Sequence, residues 1–447
     1  MKGLLQTLKN IFKIEELRSR IYVTLGFVLI YRICAFVTLP GVNREALQNF
    51  TEQSQEGLLG ILDLFTGGAF SQSSIMALGI MPYISASIVI QLLGIGLPYI
   101  QKLQKEGESG RNTINQLTRY LTIAICAVQA PGYLTALSAY GIQMTSSAWW
   151  TSYIVLITGT LFAMWIGERI TERGIGNGIS LLIMIGIIAA LPLSFVQEFT
   201  TKLAETGGVL ILMLIEVLFL LLVILISILL VQGTRKIPVQ FAKRVVGNRQ
   251  FGGVRQYIPL KVNAAGVMPI IFAQALMFLP MTFSGFGGAP DPNTTGNFSM
   301  WLYTTFASPD SMFGFWYNFI YFWMVVAFTY FYTAVTVNSS QMADDMKRNG
   351  GFIPGIKPGR QTAEYLDSVM SRIVLPGSLF LAFVAILPAF AGMLGVSPQF
   401  ALFYGGTSLL IMVGVVLDTL QQIESYLLNR HYDGLMKGGR IKGKSMM

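Results

Sequence analysis

Ten mostly apolar stretches, each of about 20 residues, are spread along the whole chain. One helix of that length crosses a hydrocarbon core about 30 Å thick. In such a core the backbone must satisfy its own hydrogen bonds, and helices do so within each segment. The pattern therefore predicts an all-α membrane protein with ten spans, at residues 21–39, 73–97, 118–139, 150–167, 175–194, 209–231, 264–283, 316–337, 373–391 and 402–422.

Composition argues against most other classes of protein. Hydrophobic residues make up 53% of the chain and charged residues 12%, whereas soluble domains carry about 25% charged residues. The two cysteines, Cys34 and Cys126, lie in apolar runs, and His431 is the single histidine. We therefore expect no disulfide framework, no metal or other cofactor, and no catalytic site.

The positions of the basic residues give an independent test of the span count. Of 31 Lys and Arg, 28 lie in the N-terminal segment, alternate loops and tail on one side. The other side holds only Arg44 and Lys202, and the first span holds Arg32. Because Lys and Arg are enriched on the cytoplasmic side, both termini are predicted to be cytoplasmic. Residues 1–20 are predicted as an amphipathic helix on the inner surface, and residues 423–447 as a basic tail.

Ten spans divide into two halves of five. With an odd number of spans in each half, the halves cross the membrane in opposite directions, as in inverted-topology repeats. We place the first half at 21–194, the outer connection at 195–208 and the second half at 209–422. This symmetry follows from topology rather than from a repeat of residues.

Glycine and proline break the chain before and within the second span. Residues 58–65 are apolar but too short to cross, Gly67 and Gly68 follow, and further breaks come at Gly79 and Pro82. Such breaks at membrane depth need protein or water around them. We favour a short re-entrant helix that enters from outside, turns and leads into a full helix. The alternative is an ordinary helix with a proline kink.

Glycines alternate at the start of the fifth span, at positions 174, 176 and 178. A phosphate-binding loop would need a preceding strand and a following Lys-Ser/Thr pair, and neither is present in the pattern. Close packing of the helix start is the favoured interpretation, because small residues let backbones approach.

Two predicted cytoplasmic loops, 232–262 and 338–372, are longer than a turn requires. The first carries seven basic residues and no acidic one, with alternation typical of a β-hairpin. The second carries five basic and four acidic residues. A charge run that only sets the topology is the alternative, but the length favours a binding surface. An anionic ribosome would suit the uncompensated cations.

Ionisable residues are rare within the predicted spans, where Arg32 and Glu216 are the two that lie well inside. Arg32 is expected to snorkel or to pair with backbone carbonyls, and Glu216 has no evident role. A secondary transporter would need ion-coordinating residues near the midplane. An intramembrane enzyme would need a nucleophile, a base or metal ligands. A passive channel fits best, with these two classes as the alternatives.

Six motifs, in order along nearly the whole chain, resemble the SecY family of bacterial protein translocase subunits. They are GGAFSQSSIMALGIMPYISASIVIQLL (67–93), KEGESGR (105–111), TGTLFAMWIGERITERGIGNGISLLI (158–183), PLKVNAAGVMPIIFA (259–273), GFIPGIKPGRQTAEYLD (351–367) and YGGTSLLI (404–411). The resemblance implies two five-helix halves in the bacterial inner membrane. It also implies a channel that passes unfolded secretory polypeptides and releases hydrophobic segments into lipid through a lateral gate between spans two and seven.

The resemblance also implies partners: the SecE and SecG subunits, the SecA ATPase, the ribosome, signal sequences, nascent polypeptides and membrane lipids. It places a pore ring at six isoleucines, Ile80, Ile84, Ile179, Ile183, Ile271 and Ile411. A ring of stiff aliphatic side chains gives a passing chain no hydrogen bonds and does not solvate ions.

Three further groups of residues follow from the same resemblance. The plug, residues 58–72, includes Leu64, Phe65, Thr66, Gly67, Gly68, Ala69 and Phe70. Gln91 and Asn263 are candidates for polar contacts that hold the lateral gate shut. The docking surface for the ribosome and the ATPase includes Lys243, Arg244, Arg249, Arg255, Lys357 and Arg360.

Two positions depart from the family's pattern. Lys357 stands where arginine is usual, and Asn248 stands where a basic residue is frequent. Lysine keeps the charge but lacks the planar fork of arginine, so its contact with a carboxylate or phosphate is expected to be weaker or arranged differently.

Overall fold

The computed structural model of the protein describes residues 14–42, 57–139, 142, 144–204, 209–241, 244–246, 249–251, 255–284, 301, 304–306 and 313–438. Most of the predicted N-terminal helix, together with Arg44, Lys243 and Asn248, lies outside these residues. The chain divides into two compact units, one of Met1–Gln55, Ile61–Ala190 and Val415–Met447 and one of Glu56–Gly60 and Leu191–Gly414.

The described residues form fourteen helices and five short strands. The helices are α1 (Glu15–Ala35), α2 (Gly57–Thr66), α3 (Met81–Gly96), α4 (Pro98–Lys105), α5 (Glu108–Ala139), α6 (Ser146–Arg173), α7 (Gly178–Ala204), α8 (Val209–Gln232), α9 (Met268–Ser284), α10 (Phe315–Thr336), α11 (Ser339–Arg348), α12 (Arg360–Met393), α13 (Pro398–Ala401) and α14 (Gly406–Gly438). The strands are β1 (Thr234–Phe241), β2 (Arg244–Val246), β3 (Arg249–Phe251), β4 (Arg255–Lys261) and β5 (Gly351–Phe352).

Each of the ten predicted spans overlaps one of these helices. Among the described residues, seven helices are long and apolar enough to cross a membrane, and α3 with α4 would make an eighth if the bent pair is one span. Mean hydropathy is highest in α8. Only 11% of the 18-residue apolar stretch of this helix is buried within the protein. A surface of this kind is stable against lipid, so the chain is a multi-pass membrane protein. The full count of ten spans and their orientation stay predictions.

The second span differs from its predicted bounds. Residues 73–80 are irregular, and the helix begins only at Met81, with Pro82 in its first turn. Proline is tolerated there because the first amides of a helix have no partner in the helix. Pro82 therefore starts a helix rather than bending one, and the proline-kink alternative is wrong. At the other end Pro98 begins α4, which turns by 103° from α3.

Glycines allow very close helix packing in the first unit. A Cβ atom on Gly178 would overlap the carbonyl oxygen of Gly167 and lie 2.7 Å from Cβ of Ile170. Gly167 in turn lies against Ile179, whose Cγ1 would be 2.9 Å from a Cβ on that glycine. Thus α6 and the start of α7 pack backbone against backbone, as expected for small residues in membranes.

Gly178→Ala is therefore expected to lower the free energy of unfolding by about 1–3 kcal/mol, the usual cost of overpacking. The measurement is the thermal unfolding of the purified protein in detergent. Gly26→Ala is the matched control, because a Cβ on Gly26 meets nothing within 4 Å. Equal melting temperatures for the two variants would show that the close approach at Gly178 contributes nothing.

The described parts of the two long loops, 232–262 and 338–372, fold together within the second unit. Strands β1 and β4 pair antiparallel from Thr234↔Lys261 to Gln240↔Arg255, and β2 pairs with β3. The predicted β-hairpin is therefore confirmed. Strand β5, from the other loop, pairs with the end of β1, so the sheet order is β4-β1-β5.

One apolar cluster lies under this sheet. Its buried members come from β1, β4, α11, the turn after β5 and the start of α12: Ile237, Val239, Leu260, Met346, Ile353, Leu366, Met370 and Val374. A shared core of this kind holds both loops in one rigid body. The basic residues on β1, β4 and α11 are therefore carried by one ordered platform.

Candidate functional site

The predicted re-entrant segment is a short helix followed by a tight turn. Helix α2 ends at Thr66, and Gly67 and Gly68 follow with φ of 67° and 88°, values that favour glycine. The Ser71 amide donates to Oδ1 of Asp63 at 2.8 Å, and the Phe70 amide donates to Oγ1 of Thr66 at 3.1 Å. These bonds fold residues 63–71 onto themselves, which confirms the predicted order of short helix, turn and full helix.

The chain that returns from the turn is tied to the end of α1. The Leu39 amide donates to the Ser73 carbonyl at 2.8 Å, and the Ile75 amide donates to the Val37 carbonyl at 2.9 Å. This short antiparallel ladder anchors residues 73–75. The re-entrant segment and the second span are therefore joined at a point where the backbone is hydrogen-bonded to α1.

Two side chains from other helices reach the turn of the re-entrant segment. Arg32 of α1 donates from Nη1 to the carbonyl of Gly67. The Tyr133 hydroxyl of α5 donates to the Phe70 carbonyl at 2.8 Å, and the two aromatic rings lie 5.0 Å apart. The expectation that Arg32 pairs with a backbone carbonyl is thus confirmed.

The six candidate ring isoleucines occupy four helices or helix starts. Ile80 precedes α3 and Ile84 lies one turn into it, while Ile179 and Ile183 have the same spacing in α7. Residues four apart lie on one face of a helix, so each pair forms one patch. Ile271 and Ile411 belong to α9 and α14. Five of the six are buried and Ile179 is half-buried; their convergence on one axis stays a prediction.

The two lateral-gate candidates lie in different local settings. Gln91 of α3 donates from Nε2 to Oγ of Ser87, at 3.3 Å within its own helix. Asn263 lies in the turn before α9, is only 6% exposed, and its Oδ1 has no hydrogen-bond partner among the described residues. Burying an amide oxygen without a hydrogen-bond partner costs free energy. A hydrogen bond donated to this oxygen would therefore be favourable. The gate assignment itself stays a prediction.

The docking candidates divide between two strand pairs and one turn. Arg244, Arg249 and Arg255 belong to β2, β3 and β4, and Lys243 lies outside the described residues. Lys357 and Arg360 are exposed beside the turn after β5. The Thr362 hydroxyl donates to the Lys357 carbonyl at 2.9 Å, which shapes this turn.

The glycine loop before α7 has its backbone amides occupied by side chains. Thr24 Oγ1 accepts from Ile175 at 3.1 Å, and Gln422 Oε1 accepts from Gly176 at 2.9 Å. Thr171 Oγ1 accepts from Gly178 at 2.8 Å. A phosphate would need these same donors, so the packing interpretation is the better one.

Sequence reasoning missed a buried ion cluster in the second unit. The Lys202 ammonium lies 3.2 Å from Oε1 of Glu198 and also pairs with Glu216 of α8. The Ser397 amide donates to Oε2 of Glu198 at 3.0 Å. Glu216 therefore has a partner, and Lys202 belongs to a helix that runs to Ala204, beyond the predicted span end at 194. The spacing of Glu198 and Lys202, four residues apart, was the signal available in the sequence.

Comparisons with known proteins agree with this architecture. The family model described as SecY matches residues 74–420. The chain is 39% identical to the protein translocase subunit SecY of Chlamydia trachomatis over 98% of this chain and 99% of that protein. It is 42% identical to the SecY of Halalkalibacterium halodurans over 97% of this chain and 100% of that protein.

Solved structures show the same fold at lower sequence identity. The structure titled "The structure of a protein conducting channel" is 18% identical, with a TM-score of 0.60 over 91% of this chain and 92% of that chain. A second, titled "Sec61 in the Canine ribosome-channel complex from the endoplasmic reticulum", is 16% identical, with a TM-score of 0.59 over 91% and 92%.

Proposed function

We propose, because this chain belongs to the SecY family of protein translocase subunits, that unfolded secretory polypeptides cross the bacterial inner membrane through it. The proposal assumes ten membrane spans in two halves that cross the membrane in opposite directions, with both termini in the cytoplasm. It rests most on the near-full-length identity to translocase subunits. Translation or the SecA ATPase would supply the energy, with SecE and SecG as accessory subunits.

The six isoleucines form the seal of this channel. Their side chains are aliphatic and branched, so they offer a passing backbone nothing to bind and offer an ion no ligands. Burial of Ile80, Ile84 and Ile183 in the first unit supports an inward orientation. The same holds for Ile271 and Ile411 in the second unit.

The re-entrant segment 58–72 acts as the plug of the resting channel. Its self-bonded turn, from Asp63 to Ser71, supports movement as one body, because its internal hydrogen bonds do not depend on the surrounding helices. Hydrophobic segments leave sideways between α3 and α9. Gln91 and Asn263 contribute to keeping that exit shut, each hydrogen bond being worth about 1 kcal/mol.

The platform of β1, β4, β5 and α11 docks the ribosome and the ATPase. Its exposed cations include Arg235, Lys236, Lys261, Lys357 and Arg360, and a rigid core below fixes their spacing. A structure with 16% identity to this chain carries a title that names a ribosome–channel complex. Contacts with ribosomal phosphate need charge and placement rather than sequence readout.

Lys357→Glu is expected to weaken binding of ribosomes to the reconstituted channel, because an exposed cation becomes an anion. The slope of log affinity against log salt should fall by about 1. Sedimentation of ribosomes with proteoliposomes at several salt concentrations measures both quantities. Lys357→Arg, which restores the family's usual residue, should bind at least as tightly as the natural chain. Unchanged affinity and slope for the glutamate variant would remove Lys357 from the docking surface.

A further inference from the structure

The start of α7 is held by side chains from two helices that are distant in the sequence. The Ile175 amide donates to Oγ1 of Thr24 in α1 at 3.1 Å, and the Gly176 amide donates to Oε1 of Gln422 in α14 at 2.9 Å. These acceptors are 151 and 246 residues away from their donors in the sequence. All four residues belong to the first unit, so α1 and α14 fix the backbone just before the first turn of α7.

The same two helices pack closely against this loop. Gly176 has a φ of 80°, and a Cβ atom on it would lie 2.6 Å from Cγ2 of Thr419 in α14. Arg20 of α1 donates from Nη1 to the Gly174 carbonyl at 3.4 Å, and its guanidinium lies 5.2 Å from the centre of the Tyr426 ring of α14. The loop is therefore held by packing and by hydrogen bonds from both sides.

The amides of the first turn of α7 are also occupied. Those of Ile179 and Ser180 donate to Oδ1 of Asn177 at 3.1 and 3.4 Å, so Asn177 caps the helix. The first amides of a helix have no acceptor within the helix, and burying one without a partner costs free energy. The acceptors on α1, α14 and Asn177 therefore determine where α7 begins and how it is rotated about its axis.

The rotation of α7 determines where two of the candidate ring residues point. Ile179 lies in the first turn of this helix and Ile183 in the second. Because the Cα atoms of a helix lie about 2.3 Å from its axis, a rotation of about 25° moves each Cα atom by about 1 Å and the end of each side chain by more. The radius of a water molecule is about 1.4 Å. A constriction that excludes water is therefore sensitive to a rotation of this size.

We propose that Thr24 and Gln422 are positioning residues for the ring isoleucines of the first unit. Each holds a backbone amide at the start of the helix that carries Ile179 and Ile183, without touching the translocating polypeptide. The inference rests on the proposed function, because it requires that the isoleucines form the seal. Loss of either acceptor raises the fraction of channels in which the start of α7 is displaced, and those channels conduct ions at rest.

The resting ion conductance of the reconstituted channel in planar bilayers tests this inference. Thr24→Val and Gln422→Met each remove one acceptor with little change in side-chain size. Each is expected to raise the conductance about fivefold, the factor that corresponds to the loss of one hydrogen bond. Thr24→Ser and Gln422→Glu keep an acceptor oxygen and should conduct like the natural channel.

Two matched controls make the same substitutions away from the loop. Thr158→Val removes a hydroxyl that donates to the Ile154 carbonyl within α6. Gln421→Met changes an exposed glutamine next to Gln422 in the same helix. Both controls should conduct like the natural channel.

A background that already lacks the ring side chains separates positioning from a general loss of stability. In an Ile179→Ser/Ile183→Ser channel, Thr24→Val and Gln422→Met should raise the conductance no further, because the side chains through which they act are gone. A general structural effect would raise it in both backgrounds. Conductance at the level of the controls, or an equal rise in the serine background, would overturn the inference. If the serine background itself conducted no more than the natural channel, the proposed seal would fail instead.

Discussion

Replacing both Ile84 and Ile183 by serine should raise the resting ion conductance of the reconstituted channel at least about tenfold. An apolar constriction resists ions because water leaves it, and hydroxyl groups would hold water there. A drop of only about 1.4 kcal/mol in the barrier to wetting gives that factor. Deletion of residues 60–70 should increase the effect, because the plug and the ring block the same path. Single-channel recordings in planar bilayers measure the conductance.

Ile188→Ser provides the matched control for this experiment. Ile188 lies in the same helix as Ile183 but is 43% exposed, against 4% for Ile183. The control should conduct like the natural channel. If the double variant conducted no more than the control, with and without the plug, the isoleucines would not form the seal.

Lys202→Met should lower the free energy of unfolding by about 3–5 kcal/mol, the usual effect of removing one partner of a buried ion pair. Without the ammonium, the carboxylates of Glu198 and Glu216 would face each other with little solvent, since their side chains are 1% and 12% exposed. Thermal unfolding in detergent should show a clearly lower melting temperature.

Two further variants distinguish the loss of stability caused by breaking the ion cluster from a general effect of replacing lysine by methionine. Lys202→Met combined with Glu216→Gln should recover part of the loss, because one unpaired charge is removed with the ammonium. Lys236→Met, at an exposed strand position, should change stability by no more than about 0.5 kcal/mol. A Lys202→Met protein as stable as the Lys236→Met protein would show that the cluster contributes nothing.

The span pattern was predictable because it depends on local composition. Each of the ten predicted spans overlaps a helix, since a run of about 20 apolar residues leaves the backbone few alternatives in lipid. The bounds were less predictable at proline and glycine. Residues 73–80 are as apolar as a span, yet they are irregular because the turn after Gly68 returns to pair with the end of α1.

Contacts between distant segments escaped prediction. Strand β5 joins β1 although about 110 residues of chain separate them, and nothing in either loop alone signals the pair. The bond from Arg32 to Gly67 and the cluster of Glu198, Lys202 and Glu216 are of the same kind. For Arg32 and Glu216 the sequence showed an ionisable residue within a span, and only the fold identified its partner.

The candidate site was predictable only through family resemblance. Isoleucine is common in any membrane helix, so Ile179 or Ile411 carries no local mark of a pore. The glycine loop was different, because its alternating glycines indicated close packing, and the amides of Ile175, Gly176 and Gly178 are indeed held by side chains.

Photocrosslinking of a stalled secretory chain tests the central claim most directly. A photoreactive amino acid would replace Ile84, Ile411 or, as the control, Ile188, and a ribosome-bound preprotein would be halted during translocation. The account predicts strong crosslinks from positions 84 and 411 and none above background from position 188. Crosslinks confined to position 188 would contradict it, because the polypeptide would then cross by a path that the isoleucines do not line.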